Sequence, residues 1–141
     1  MFVFENKIRV RYAETDQMGY MYYGNYATYY EVARTDMLRS TGISYKELEA
    51  MGVMMPVIEM QTKYLQPAKY DDLITIKTTI RELPNVRICF EYELFNEAGV
   101  LLNTGKTLLV FVDMTKNRPC RAPQVFMDKI KAYFQHDEKS P

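Results

Sequence analysis

The chain has 141 residues, 48% of them hydrophobic and 26% charged, and its 18 basic residues balance 18 acidic ones for a formal net charge of zero. That length fits one domain with a real core, and the balance excludes the basic excess that general nucleic-acid affinity needs. No apolar run approaches the roughly 18 residues of a spanning helix. The opening MFVFENK has no basic region ahead of a long apolar stretch, so neither a transmembrane segment nor a secretory signal is expected.

Residues 7–12, KIRVRY, alternate, with Ile8, Val10 and Tyr12 on one face and Lys7, Arg9 and Arg11 on the other. This is the pattern of a half-buried strand. A loop over 13–23 contains Gly19. From Gly24 or Asn25 the period becomes helical, with Tyr26, Tyr29, Tyr30, Ala33, Met37 and Leu38 on one stripe. Asn25 is placed as an N-cap and Gly42 as a C-terminal stop. Residues 44–51 form a short second helix, with Ser44 and Glu47 spaced as a capping box.

The period then returns to two. Ile58, Met60, Thr62 and Tyr64 alternate with Glu59, Gln61 and Lys63; strands also follow over 73–80, 86–95 and 100–112. The last of these is apolar on both faces at its far end, so that end is expected to be covered on both sides. Pro67, Leu83-Pro84-Asn85 and Asn96-Glu97-Ala98-Gly99 punctuate the strands. An amphipathic stretch over 123–134 closes the chain ahead of a polar tail, about 135–141, that is expected to fray. The whole, residues 1–141, reads as a single α+β domain: a five-stranded antiparallel sheet wrapped around a long central helix, with a C-terminal helix. The open edges of such a sheet invite pairing with a second copy.

Most catalytic kits are absent. The one histidine, His136, lies in the tail, so a Ser-His-Asp or Cys-His triad lacks a base and a His-containing zinc site lacks ligands; no metal is expected. No GxxxxGK[ST] or GxGxxG stretch occurs. Cys89 and Cys120 lie on unrelated segments, which fits packed, reduced thiols and a cytoplasmic setting. What remains is Asp16. One reading is an Asx turn, in which the carboxylate bonds its own backbone. The other places a carboxylate beside a helix N-terminus, where open N–H groups stabilise an oxyanion and the carboxylate serves as nucleophile or general base. That kit suffices for an activated acyl group such as a thioester and is weak for an amide.

The stretch RYAETDQMGYMYYGNYATYYEVARTDMLRSTG, residues 11–42, resembles the N-terminal signature of hotdog-fold acyl-CoA thioesterases of the 4-hydroxybenzoyl-CoA thioesterase type. YLQPAKYDDLITIKTTI, residues 64–80, resembles the second signature of that family. The resemblance runs over roughly residues 6 to 125. It implies a hotdog fold and hydrolysis of an acyl-CoA to a free acid and CoA, with no cofactor beyond the CoA moiety of the substrate. Asp16 matches the active-site aspartate, and the backbone N–H of Tyr23 matches the donor that polarises the thioester carbonyl. Many members carry histidine where this chain has Tyr23, so a side-chain imidazole plays no part here. The substrate contacts implied are Tyr22, Gly24, Asn25, Met55, Arg118 and Arg121; Asn25 is read chiefly as a cap. Family sites lie between subunits, so Met54, Met55 and Pro56 are placed to act from a neighbour. Lys116, Arg118 and Arg121 carry the charge for the nucleotide phosphates.

Tyr26, Tyr29 and Tyr30 fit core packing as well as a substrate wall. Tyr70-Asp71-Asp72 fits a strand-entry turn, and Glu31 fits a structural role. The expected assembly is a homodimer or homotetramer. A second reading also stands, a non-catalytic hotdog module that binds acyl-CoA or acyl carrier protein thioesters. A dehydratase-type hotdog is disfavoured by the missing histidine. The acyl group, aromatic or aliphatic, stays open.

Overall fold

The computed structural model describes residues 1–138, with side chains through Phe134. Its elements are β1 (Phe2–Arg9), α1 (Tyr26–Ser40), α2 (Tyr45–Ala50), β2 (Val53–Met54), β3 (Val57–Tyr64), β4 (Leu73–Ile80), β5 (Arg87–Phe95), β6 (Leu101–Val110), β7 (Val112–Asp113), β8 (Arg118–Pro119) and α3 (Gln124–Glu138). Five strands make one sheet in the order β1-β4-β5-β6-β3, and β2-β7-β8 make a small second sheet. Every pairing is antiparallel. This is the α+β hotdog arrangement that the sequence implies.

The core lies between α1 and the large sheet. Alternation in the strands points Ile74, Ile76 and Ile80 of β4 and Ile88, Phe90, Tyr92 and Leu94 of β5 at the helix, and all are buried. From α1, Tyr26, Tyr29, Tyr30, Ala33, Met37 and Leu38 meet them. Each of the Ile, Leu, Phe and Met side chains contributes roughly 1.5–3 kcal/mol through burial. At the centre, the Tyr30 ring stacks on Tyr92 and lies directly over Gly105 of β6. The Tyr30 hydroxyl bonds Asn103 and Thr62, and Tyr92 bonds Thr107 at 2.6 Å. These side-chain partners satisfy the polar tips that burial would otherwise penalise.

α1 stops where expected. Gly42 takes a φ of 94°, and its N–H bonds the Arg39 carbonyl. In α2, the Ser44 side chain accepts the Glu47 N–H at 3.2 Å. α3 buries Phe126, Ile130 and Phe134. It ties the end of β6 to the start of β1: Phe126 meets Phe111 edge-on, and Tyr133 stacks on Phe2 at 4.4 Å. It extends through Glu138, beyond the expected end at 134; the last three residues of the tail expected to fray lie outside the described residues. The apolar run ending the fourth late strand is covered on both sides, since Leu109 through Val112 are all buried.

Two strands depart from expectation. β1 begins five residues earlier than the KIRVRY pattern and ends at Arg9. Tyr12 is therefore not a strand residue facing the core; it opens a short 3-10 helix, Tyr12–Glu14, and is 78% exposed. The alternation was real but extends N-terminally, through Phe2, Phe4 and Ile8. In β3, the alternation does not mark a buried face: Ile58, Met60 and Tyr64 are 45–51% exposed. β3 is one edge of the sheet, with β6 on one side and, among the described residues, no strand on the other. The bulge at Ile58, between Val57 and Glu59, shifts its alternation as well.

Candidate active site

The loop expected over 13–23 is largely hydrogen-bonded. It leaves β1 beside the start of β4, where the Val10 N–H bonds the Asp72 carbonyl and the Asp71 N–H bonds the Val10 carbonyl. The Tyr12–Glu14 turn follows. Asp16 and Tyr20 then close a tight reversal, with the Asp16 N–H on the Tyr20 carbonyl at 2.8 Å and Gly19 at a φ of 78°. The segment around Tyr70-Asp71-Asp72 supports this reversal from behind: Met21 bonds Ala68, and Tyr70 bonds Gly19. Asp71 sits at a φ of 68° and the Asp72 carboxylate accepts the Lys69 N–H, which is the strand-entry turn expected there.

Asp16 makes the turn of the first of its two readings. Its Oδ1 accepts the Met18 N–H at 2.9 Å and the Tyr20 N–H at 3.2 Å, the bonding of an Asx turn. Its Oδ2 takes no hydrogen bond among the described residues, and the side chain is exposed in the single chain. Asp16 lines a cavity of about 340 Å³ together with Tyr23, Tyr26 and Tyr64, and the floor is completed by Met21 and the Leu65-Gln66-Pro67 turn.

Tyr23 opens a second short 3-10 helix, Tyr23–Asn25, that runs straight into α1. Tyr23 and Gly24 are its first two residues, so their N–H groups have no acceptor within it. A Cβ at Gly24 would stand 2.7 Å from the exposed Tyr22 ring, which would have to swing aside to admit it. The exposed rings of Tyr22 and Tyr23 lie 4.5 Å apart. Tyr64, from the end of β3, meets Tyr23 and Tyr26 edge-on at 6.5 and 5.1 Å. Tyr29 and Tyr30 belong to the core and not to the cavity wall. Asn25 sits at the N-cap position of α1 but its side chain makes no capping bond. Its amide donates instead to the Glu14 carbonyl at 2.8 Å, so the expected side-chain cap is replaced by a tie between loop and helix.

Glu14 is the one buried acidic residue among those described. Its Oε1 accepts the Arg11 N–H and the Tyr29 hydroxyl, each at 2.8 Å, and its Oε2 pairs with the Arg11 guanidinium at 3.2 Å. Burial pushes this carboxyl up, but the Arg11 N–H, the Tyr29 hydroxyl and the Arg11 guanidinium outweigh it and hold the group below the ordinary glutamate range. The same carboxylate, after burial, keeps the Tyr29 hydroxyl firmly protonated.

A slightly larger hollow, about 380 Å³, lies on the outer face of the sheet between Lys63, Arg81, Glu91 and Lys106. Arg81 is already paired with Glu91 there, and none of the loop residues reaches it.

Residues 10–130 match the family described as the thioesterase-like superfamily. The chain belongs to that superfamily. The acyl-CoA thioester hydrolase YbgC of Escherichia coli O6:H1 is 34% identical, over 92% of this chain and 96% of that protein. The acyl-CoA thioesterase YbgC of Haemophilus influenzae is 30% identical, over 94% and 95%. A crystal structure of the DHNA-CoA thioesterase of Staphylococcus aureus superposes with a TM-score of 0.87 at 36% identity, covering 98% of this chain and 93% of that one.

Within this thioesterase-like chain, Asp16, Tyr22, Tyr23, Gly24 and Asn25 fall together on one loop and helix start, but of these Asp16 and Tyr23 alone line the cavity. Met55, Arg118 and Arg121 do not join them. Met55 is half-buried against the core, and none of the three lines the Asp16 cavity. Arg118 and Arg121 are exposed; Arg118 pairs in register with Asp113, whose carboxyl is held low by the Lys116 and Thr115 N–H groups and by the charges of Lys116 and Arg118. Among the described residues no cluster of His, Cys, Asp or Glu is arranged to hold a metal, and no helix is long and apolar enough to cross a membrane. Sequence reasoning missed Glu14 and Tyr64. Glu14 carries no periodic signal, because it lies in a turn. Tyr64 had one, an aromatic residue closing a strand just ahead of Pro67.

Proposed function

We propose that the chain hydrolyses acyl-CoA thioesters to a free acid and CoA, with Asp16 acting on the thioester carbonyl and the N–H of Tyr23 stabilising the oxyanion. The observation that carries this reading is that Asp16, with Oδ2 unbonded, and Tyr23, at the start of the helical run into α1, line one aromatic-walled cavity. The relatives named as acyl-CoA thioesterases support the substrate class.

The chemistry needs little more. As general base, Asp16 takes a proton from water, and the resulting hydroxide adds to the carbonyl carbon. As nucleophile, it adds directly and forms a mixed anhydride, which water then cleaves. In either route the carbonyl oxygen becomes negative opposite the positive end of the helix. The carbon–sulfur bond then breaks, and the thiolate leaves and later takes up a proton. A thiol has a reference pKa near 8.5, so its anion departs without an acid. Water is the only co-reactant, and CoA enters as part of the substrate. Tyr23, Tyr26 and Tyr64 offer ring faces and edges to the acyl group.

The exposed apolar edge of β3 supports an assembly in which a second copy pairs along it, as a homodimer or within a homotetramer. Met55, Arg118 and Arg121 are then assigned to the neighbour's substrate, with the arginines at the phosphates. The free thiols of Cys89 and Cys120 support a reducing, cytoplasmic setting. The test is thiol release from a panel of aliphatic and aromatic acyl-CoAs by the wild type and by Asp16→Asn. Saturable binding with no turnover would instead support a binding module.

A further inference from the structure

We propose that Glu14 is a positioning residue for this hydrolysis, holding the Asp16 turn at a fixed place relative to the N-terminus ahead of α1. The proposal rests on the reading of Asp16 and Tyr23 given above. Asp16 is exposed and sits on a tight reversal, a kind of segment that is ordinarily among the more mobile. Catalysis demands the opposite, since a misplacement of 1 Å can cost about a hundredfold in rate.

Glu14 precedes Asp16 by two residues and reaches the helix start by three routes. Its carboxylate takes the Tyr29 hydroxyl, one turn into α1. Its carbonyl takes the Asn25 side-chain amide. The same carbonyl takes the Tyr22 N–H at 2.8 Å, immediately before the Tyr23 donor. Arg11, on the other flank, anchors the carboxylate through its N–H and its guanidinium. Both halves of the site are therefore referred to one residue. None of these bonds faces the substrate cavity, whose walls are Tyr23, Tyr26 and Tyr64. Loosening them should disturb the chemical step and spare substrate binding.

The experiment measures kcat and KM for thiol release from the best acyl-CoA of the panel, in wild type, Glu14→Ala, Glu14→Gln, Tyr29→Phe and Asp16→Asn. Glu14→Ala and Tyr29→Phe are expected to lower kcat by about tenfold or more with KM little changed. Glu14→Gln keeps an oxygen to accept from Arg11 and Tyr29, and is expected to restore kcat to within about threefold of wild type. If Glu14→Ala does not fold, Tyr29→Phe decides alone, because it removes one hydroxyl and leaves the packed ring. Wild-type kcat in Tyr29→Phe, or a change confined to KM, overturns the proposal. An Asp16→Asn enzyme at full turnover would sink the catalytic reading and the proposal together. An inactive Asp16→Asn beside an unimpaired Tyr29→Phe would sink the proposal alone.

Discussion

Tyr30 stacks on Tyr92 with ring centroids 4.3 Å apart and planes 9° from parallel, and it can do so only because position 105 has no side chain. A Cβ at Gly105 would stand 2.6 Å from Tyr30 Cε2 and closer still to the hydroxyl. Tyr30 is fully buried and its hydroxyl is engaged, with burial pushing its pKa up to about 12; it has nowhere to retreat. Gly105→Ala should therefore cost about 1–3 kcal/mol. The check is thermal or urea unfolding. The same substitution in a Tyr30→Ala background should cost much less, because the collision is gone.

Asp16→Asn keeps the turn, since its side-chain oxygen still accepts from Met18 and Tyr20, but removes the proposed base or nucleophile. Turnover should fall by about 10²–10⁴-fold with the melting temperature little changed. Tyr23→Phe should keep kcat within about threefold, because the proposed oxyanion donor is a backbone N–H that any residue but proline supplies. Loss of activity in Tyr23→Phe comparable to that in Asp16→Asn would place the donor in the phenol instead.

The Glu14 carboxyl is held below its ordinary range in the folded chain. Its stabilising contribution is complete above the ordinary glutamate value of 4.5 and is lost as pH falls through the lower folded-state value. Wild type should therefore melt above Glu14→Gln at neutral pH, and the gap should close on the acid side of that value. A gap that stays constant down to pH 3 would show that the folded and unfolded chains bind this proton alike.

β3 exposes Val57, Ile58, Met60 and Tyr64 along an unpaired edge. Ile58→Lys together with Met60→Lys should prevent a second copy from pairing there. Light scattering at micromolar concentration should report an assembly for wild type and a single chain for the double variant. A wild type that is already monomeric would remove the shared-site reading of Met55, Arg118 and Arg121.

The sheet, the long helix and the place of Asp16 were legible in the sequence because each has a local signature. Alternation gave the strands, the tyrosine stripe gave α1, and Thr-Asp ahead of Gly19 gave the turn. What was not legible depended on partners distant in sequence. The N-terminal extension of β1 is fixed by its register with β4, which pairs Phe2 with Ile80. The exposure of β3 follows from its rank in the sheet, which periodicity cannot report. Asn25 has the right residue type for a cap, yet the Glu14 carbonyl eleven residues upstream claims its amide. Glu14 itself looked like any surface acid, since the hydroxyl that buries it comes from fifteen residues away.

Tyr64 is the last of the eight residues of β3. Its ring walls the cavity, and its hydroxyl comes within 3.5 Å of the Tyr23 carbonyl. The strand that is open to solvent along one side thus also shapes the cavity that Asp16 lines. On the proposed reading, a substitution at Tyr64 would act on substrate preference and on self-association at once.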